Sequence, residues 1–263
     1  MLSVVLVAVV FGLIFGSAIN ALVWRLYVGR SWTKGRSVCP DCDHVLSAAD
    51  LVPVVSWLML GGKCRYCRKP IKDHPLVELA TAAVFGLSAY AFFASSSAVS
   101  VTQILFWIVI LVMLMVLAVY DLRWMILPDK VVLPLIVVSF IYAAVMAVMG
   151  HDPRLLADHL LAATLAGGSF YALVFFSKGR AMGGGDIKLA FAMGLILGIR
   201  AMLLALFLAF TIGAIIGIGL ILSHRKGRKD QIPFGPFLVL ATIIAYLFGL
   251  QIIGFYLSFS GLS

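Results

Sequence analysis

The chain has 263 residues, of which 63% are apolar and 12% charged, and its formal net charge is +9. Soluble domains carry about 25% charged and about 45–50% apolar residues, so this composition excludes a soluble enzyme and a disordered chain. Lys and Arg accumulate in the cytoplasmic loops of membrane proteins, which explains the basic charge. We therefore expect a membrane protein with no nucleic-acid partner.

Apolar segments long enough to cross a bilayer recur along the whole chain. A transmembrane helix needs about 20 mostly apolar residues. Eight segments meet this description, at 1–24, 75–95, 101–122, 131–149, 155–177, 184–199, 201–222 and 234–257. The sixth is the weakest, because Gly198 and Arg200 limit its apolar part. The pattern predicts an all-α, multi-pass protein surrounded by membrane lipid, with a first transmembrane helix at 1–24, a polar insert at 25–74 and a transmembrane core at 75–263.

The basic residues lie mostly on one predicted side of the membrane. The insert contains nine of the 20 Lys and Arg residues, and the loops 123–130, 178–188 and 223–233 contain two, three and four. Only Arg154 and Arg200 lie elsewhere. By the positive-inside rule, the insert and these loops are cytoplasmic and both termini are outside.

All four cysteines lie in the insert, as two CxxC pairs separated by 21 residues: Cys39 with Cys42, and Cys64 with Cys67. Two such pairs can present four thiolates to one tetrahedral ion, and zinc accepts this ligand set. Two disulfides are the alternative, which a reducing cytoplasm disfavours. A thioredoxin-like redox pair would require a βαβ pattern, which the sequence lacks. The spacing therefore predicts a structural zinc site.

Two aspartates at the cytoplasmic ends of predicted spans are candidates for catalysis. Asp121 ends the third segment, and Asp186 follows Gly183, Gly184 and Gly185 at the start of the sixth. Acidic groups at membrane depth are costly and usually functional. Two carboxyls in contact share a proton, so one can activate a water while the other polarises a peptide carbonyl. The glycines would let an extended peptide approach the backbone.

Other interpretations of the acidic residues remain open. Both aspartates could be solvated and paired with Arg123 and Lys188, although a spacing of two residues on a helix points side chains apart. Asp129 competes with Asp121, but its place before a new span favours a helix-capping role. Glu78, at the start of the second segment, is a candidate secondary site residue.

Further motifs lie along most of the chain. They are GSAIN at 16–20 followed by Arg25, DLVP at 50–53 and SW at 56–57 between the CxxC pairs, PLVE at 75–78, Asp121 with PD at 128–129, GGGD at 183–186, and IPFGP at 232–236. Together they resemble the motifs of bacterial type IV prepilin peptidases, membrane aspartic peptidases of the GxGD class. One departure is Arg68 after the second CxxC pair, where the family often has glycine; this could alter the turn without loss of the metal.

The resemblance implies that Asp121 and Asp186 are the catalytic pair and that the four cysteines bind the metal. It implies cleavage of the short basic leader of type IV prepilins or type II secretion pseudopilins after a glycine, at the cytoplasmic face of the bacterial inner membrane. It also implies N-methylation of the new N-terminus with S-adenosylmethionine.

Two other functions remain open at this point. No Gly-rich Rossmann-type site for S-adenosylmethionine is visible, so one alternative is a peptidase without methyl transfer. The other is a non-enzymatic protein, either a zinc-knuckle membrane scaffold or a transporter that uses the aspartates as proton carriers.

Overall fold

The computed structural model describes residues 1–31, 34–71, 73, 75–94, 99–179, 182–224, 227 and 231–260. Within these ranges the chain forms eight α-helices and a short 3₁₀ helix, Ala48–Leu51. The helices are α1 (Leu2–Tyr27), α2 (Val55–Met59), α3 (Leu76–Ala94), α4 (Val101–Trp124), α5 (Asp129–Met149), α6 (Pro153–Phe176), α7 (Gly184–Leu222) and α8 (Gly235–Phe259). Apart from two isolated bridges, the described ranges contain no β-structure.

Seven of the helices in the described part of the chain, all except α2, are long and apolar enough to cross a membrane. The prediction of an all-α, multi-pass membrane protein is therefore confirmed. Six of the eight predicted segments correspond to separate helices, with ends that differ by a few residues. The other two, 184–199 and 201–222, both lie within α7.

Helix α7 consists of two helical segments that meet at Gly198. The backbone of Gly198 has φ 70° and ψ 174°, which is not helical and which only glycine adopts readily. Two adjacent residues of α6 satisfy the backbone groups freed by the break. Ile199 N–H donates to Asp158 Oδ2 (3.1 Å), and His159 Nδ1 donates to the carbonyl oxygen of Leu195 (2.7 Å).

The two segments of α7 run in opposite directions. Both α7 and α8 begin beside the same cavity. Ala201 faces Gly249 near the end of α8, whereas Gly213 faces Phe237 near its start. The second segment of α7 therefore returns towards the cavity from which the first segment departs. This reversal agrees with the two separate spans predicted from the sequence.

The chain divides into two compact units, Met1–Ala98 and Val99–Ser263. In the first unit, α1 packs closely on α3, because Gly12 lies against the backbone of Ala82 and Gly16 against that of Glu78 with no space for a Cβ. The boundary between the compact units lies between Ala98 and Val99, whereas the core predicted from the sequence begins at residue 75. The boundary of the functional core stays a prediction.

The core of the second unit is built around α4. Its Trp107, Ile110 and Leu114 are almost completely buried. Trp107 stacks on Tyr246 of α8, with the ring centroids 3.8 Å apart, and the hydroxyl oxygen of Tyr246 lies 3.1 Å from that of Tyr142 on α5. The stretch of α4 from Leu114 to Asp121 is buried throughout, so the Asp121 side chain in the last turn lies within protein.

Candidate active site

A cavity of about 460 Å³ lies where the end of α4 meets the starts of α7 and α8. Asp121 and Asp186 both line it, together with the three glycines at 183–185. Apolar side chains from the segments after α4 and before α8 complete the wall. The structure thus brings together the two aspartates that the sequence placed at the same membrane depth.

Asp121 is held in place by the start of α8. It lies in the last turn of α4 and is 5% exposed. Its Oδ2 accepts a hydrogen bond of 3.0 Å from the N–H of Gly235, the first residue of α8. A helix N-terminus carries partial positive charge, which favours a carboxylate there. A Cβ on Gly235 would lie 2.7 Å from Asp121 Oδ2, so this close approach requires glycine.

Asp186 lies in the first turn of α7 and is 9% exposed. Its Oδ2 accepts a hydrogen bond of 3.3 Å from the N–H of Gly183, which precedes the helix. Each carboxyl group therefore faces a backbone amide at a helix N-terminus, and the charge of Asp121 acts on Asp186. The site therefore contains two acidic groups that interact with each other and that can both act on a molecule bound in the cavity.

The three predicted glycines have different surroundings. A Cβ on Gly185 would lie 2.8 Å from the Cβ of Leu127, so this glycine lets the segment after α4 pack on α7. A Cβ on Gly184 would meet nothing within 4 Å. The backbone at Gly184 is therefore accessible from the cavity, whereas Gly185 serves the packing of its wall.

Asp129 does not cap α5, so the prediction of a capping role is wrong. Pro128 occupies the N-cap position, and Asp129 takes the first helical position without a side-chain capping bond. Instead, Asp129 Oδ1 lies 2.6 Å from Lys188 Nζ, on an exposed part of the surface. Lys188 thus pairs with Asp129 across two helices, and Asp129 is absent from the described lining of the cavity.

The four cysteines of the insert form one cluster. Their Sγ atoms all lie within 4.8 Å of one another, and all four are free thiols. A tetrahedral zinc site with Zn–S bonds of about 2.3 Å places its sulfurs about 3.8 Å apart, so the cluster matches this ligand set. Burial raises the pKa of the Cys39 thiol to about 12, so this thiol would need a bound cation to ionise at neutral pH. At Cys64, hydrogen bonds outweigh the effect of burial and lower the pKa to about 7.

Arg68 does not alter the turn of the second CxxC pair. Asp43 N–H donates to the carbonyl of Cys39 (2.9 Å), and Arg68 N–H donates in the same way to that of Cys64 (3.0 Å). Both Asp43 and Arg68 have positive φ, 52° and 60°. Glycine would adopt this conformation at lower cost, which accounts for its frequency there, but the arginine keeps the same turn.

Asp50 connects the two halves of the insert. Its side chain is 4% exposed and accepts hydrogen bonds from Ser47, Arg65 and Tyr66. Burial alone would raise the pKa of the Asp50 carboxyl, but these hydrogen bonds lower it to about 2. Asp50 is therefore ionised at neutral pH and fixes the segment between the CxxC pairs.

Glu78 lines a second cavity, of about 170 Å³, in the first unit. This cavity lies between the last turns of α1, the insert and the start of α3. Glu78 Oε2 accepts a hydrogen bond from Val54 N–H, which anchors the insert on α3. Val54 has φ 61°, a strained value for a β-branched residue, and the bond to Glu78 stabilises it.

Two family models match the chain: the bacterial peptidase A24 N-terminal domain at 10–92 and the type IV leader peptidase family at 108–218. The chain is also 32% identical to a prepilin leader peptidase/N-methyltransferase of Bacillus subtilis, over 94% of its own length and 96% of the relative. The chain belongs to the type IV leader peptidase family. The resemblance inferred from the motifs is thereby confirmed.

Other members of the type IV leader peptidase family are similar over comparable lengths. A protein of the same name from Aeromonas hydrophila is 32% identical, over 94% of this chain and 92% of the relative. One from Pseudomonas aeruginosa is also 32% identical, over 99% of this chain and 96% of the relative. No solved structure matches the chain.

Reasoning from the sequence gave no role to Gly235. The IPFGP motif contained a signal for one: a glycine followed by proline at the start of an apolar segment indicates a helix N-terminus. The sequence does not indicate which residue accepts the hydrogen bond of Gly235, because Asp121 lies 114 residues earlier in the chain.

Proposed function

We propose that this chain is a membrane-embedded aspartic peptidase and N-methyltransferase that removes the leader of type IV prepilins and methylates the new N-terminus. The observation that carries the peptidase proposal is the meeting of Asp121 and Asp186, from separate helices, in one cavity. The relatives named prepilin leader peptidase/N-methyltransferase support both activities. Type II secretion pseudopilins are proposed as substrates of the same chemistry.

In the proposed mechanism, Asp121 and Asp186 act as one unit that shares a proton. The ionised carboxyl takes a proton from a water, and the water oxygen attacks the carbonyl carbon of the last residue of the leader. The protonated carboxyl donates to the carbonyl oxygen as charge develops on it. The proton taken from water then passes to the leaving amine. As the C–N bond breaks, a hydroxyl of the tetrahedral intermediate returns a proton to the other carboxylate, so the pair again shares one proton.

The walls of the cavity fit a substrate that is part peptide and part transmembrane helix. Met125 and Ile126 line the cavity and are 48% and 58% exposed, which gives an apolar surface for the substrate helix. The open backbone at Gly184 lies beside Asp186 and provides amide and carbonyl groups for an extended peptide. Non-helical backbone at membrane depth is tolerated where it lines such a cavity.

We propose that Cys39, Cys42, Cys64 and Cys67 hold one structural zinc. The four sulfurs are the donor set that zinc prefers, and the burial of Cys39 and Cys64 leaves their charge to be balanced by the ion. When bound, S-adenosylmethionine would supply an activated methyl group for the new N-terminal amine.

The distribution of Lys and Arg supports the proposed orientation. The loops 123–130, 178–188 and 223–233 carry nine of these residues, and the ends of α4, α7 and α8 that line the cavity adjoin them. We place the cavity at the cytoplasmic face of the inner membrane and both termini outside.

The decisive experiment follows a purified prepilin by mass after incubation with the purified chain, with and without S-adenosylmethionine. The wild type should remove the leader in both cases and add one methyl group only when the donor is present. Asp121→Asn and Asp186→Asn should each abolish cleavage, whereas Asp129→Asn should keep substantial activity. The pH profile of the wild type should be bell-shaped, because the pair titrates as a coupled unit.

Four outcomes would contradict all or part of the proposal. Near-normal cleavage by Asp186→Asn would exclude the aspartic mechanism. Inactivity of Asp129→Asn together with activity of Asp121→Asn would identify a different partner. An unchanged prepilin with the wild type would favour a scaffold or transporter, and cleavage without a methyl group would reduce the function to that of a peptidase.

A further inference from the structure

The polar insert contains an apolar run that carries no charge. Residues 51–60, with the sequence LVPVVSWLML, have one polar side chain, that of Ser56. The run begins at the end of the 3₁₀ helix and includes α2, Val55–Met59. It is too short to cross a bilayer, because a transmembrane helix needs about 20 residues. Its apolar character therefore needs another explanation.

The two sides of this run have different surroundings. Ser56, Trp57 and Leu60 line the cavity of the first unit. The other side, which we call the outer face of α2, consists of four apolar residues that are 44% to 82% exposed: Val52, Val55, Leu58 and Met59. The last three fall on one side of the helix because of their spacing. Contiguous exposed apolar side chains of this kind mark a surface that contacts protein or membrane.

The depth of α2 in the membrane follows from its contact with α3. Glu78, the third residue of α3, accepts a hydrogen bond from Val54 N–H, and α2 begins at the next residue. The 19 residues of α3 span about 28 Å, whereas the hydrocarbon core of a bilayer is about 30 Å thick. Because α3 needs its whole length to cross, its first turn lies at the edge of the hydrocarbon. The start of α2 lies at the same depth.

We propose that α2 is an interfacial helix whose outer face inserts into the acyl-chain boundary of the leaflet on its side of the membrane. Lipid is the solvent at this depth, and the first turns of α3 also present exposed apolar side chains to it, Leu76 and Leu79. Amphipathic helices bind bilayers in this way, with the apolar face at the boundary between head groups and acyl chains. Since α2 lies between the two CxxC pairs, this contact holds the cysteine cluster at the membrane surface.

The charge of the insert favours the same partner. Residues 25–74 contain nine cationic and four anionic side chains. Lys63 and Arg68, which follow α2 closely, are exposed. Basic side chains near a membrane are attracted to anionic head groups, and their stems can lie along apolar surface while the charge stays in water. A soluble protein could reach the outer face at this depth only by displacing lipid, so the bilayer is the favoured occupant.

The test is photo-crosslinking of the full zinc-loaded chain in phosphatidylglycerol nanodiscs without prepilin. A benzophenone-bearing amino acid replaces Met59, and the mass of the irradiated peptide shows whether a lipid is attached. The same replacement at Asp43, whose side chain is 74% exposed but lies outside the run, is the matched control. Phe255, which is 73% exposed on α8, is the positive control. We expect lipid adducts at positions 59 and 255 and only background at position 43.

Hydrogen exchange measures whether the apolar side chains hold α2 at the membrane. The double variant Leu58→Asn with Met59→Asn should lose protection of the α2 amides in nanodiscs, because the helix no longer inserts. Val45→Asn replaces an apolar side chain of the insert that is 39% exposed and outside the run, and it should exchange like the wild type at α2. Zinc content reports whether each variant keeps the insert folded. If the double variant loses zinc, crosslinking at position 59 still provides the test.

Several results would overturn the assignment. One is the absence of lipid adducts at position 59 when position 255 gives them. An adduct with a second copy of the chain, or with a prepilin once it is added, in place of lipid would make the outer face a protein-binding surface. Equal exchange at α2 in the wild type and a zinc-loaded double variant would show that the outer face does not hold the helix. Prepilin cleavage by the wild type is measured separately, so none of these results changes the proposed function.

Discussion

The backbone N–H of Gly235 donates a hydrogen bond to Asp121 Oδ2 at 3.0 Å, so the first turn of α8 orients a side chain that belongs to the last turn of α4. The position of Asp121 within the cavity therefore depends on how α8 begins. Asp186, in contrast, receives its hydrogen bond from Gly183, three residues earlier in the same segment. One of the two acids is held by a distant part of the chain and the other locally.

Replacement of Gly235 by alanine should lower the rate of leader cleavage about a hundredfold, because the added Cβ would lie 2.7 Å from Asp121 Oδ2 and displace the carboxyl by a large part of an ångström. The effect should appear in kcat more than in KM. Gly254→Ala is the matched control on the same helix, since a Cβ there meets nothing within 4 Å. Equal rates for the two variants would show that the contact does not position Asp121.

Gly198→Ala should destabilise the second unit by about 2 kcal/mol, because its φ and ψ are accessible mainly to glycine. The new Cβ would also collide with the carboxylate of Asp158 and break its bond to Ile199 N–H. Thermal unfolding in detergent would measure the loss. Gly168→Ala in α6, whose Cβ would meet nothing within 4 Å, should not lower the unfolding temperature. An unchanged unfolding temperature for Gly198→Ala would mean that the break is not fixed by glycine.

The purified chain should contain one zinc ion, measured by elemental analysis, and Cys39→Ser should remove it. Structural zinc contributes about 10–16 kcal/mol of apparent binding free energy in small peptides, so the insert should unfold when the ion is lost. The transmembrane helices should remain inserted, because their stability in lipid does not depend on the thiolates. Asp186→Asn is the control and should retain zinc. Freshly reduced protein without zinc would disprove the metal site.

Gly227→Cys should react with a membrane-impermeant maleimide only from the cytoplasmic side, and Gly150→Cys only from the outside. Gly227 follows α7 and Gly150 separates α5 from α6, so the two positions report opposite faces of the same compact unit. The wild type, with its four native cysteines, gives the background for both. Reversed labelling would move the cavity with both aspartates to the outer face.

Local chemistry accounts for what the sequence could predict. The spans follow from hydropathy and the metal cluster from the spacing of four cysteines. Shared depth allowed Asp121 to meet Asp186, but the choice of Asp121 over Asp129 came from the resemblance to the family. Contacts between distant segments were not accessible in this way. Gly235 and Lys188 find their acidic partners, Asp121 and Asp129, across 114 and 59 residues, and such pairs depend on helix packing rather than on neighbouring residues.

The capping role predicted for Asp129 failed for a related reason. The rule that an acid before an apolar run caps a helix considers only local backbone amides. Here Pro128, which has no N–H and a restricted φ, occupies the cap position and moves Asp129 into the helix. The charge of Lys188, which lies near the start of α7, then determines where the Asp129 carboxylate points.

The first segment of α7 is shorter than the bilayer. Its 14 residues, 184–197, span about 21 Å, whereas the hydrocarbon core of a bilayer is about 30 Å thick. The segment is largely buried, Leu189, Met193 and Ile196 included, so other helices rather than lipid surround it. The difference in length leaves at least one end of the segment below the membrane surface, within protein. We expect a thinner bilayer to bring the head groups and their water closer to Asp186. Leader cleavage should then be faster in nanodiscs of short-chain lipids than in those of long-chain lipids.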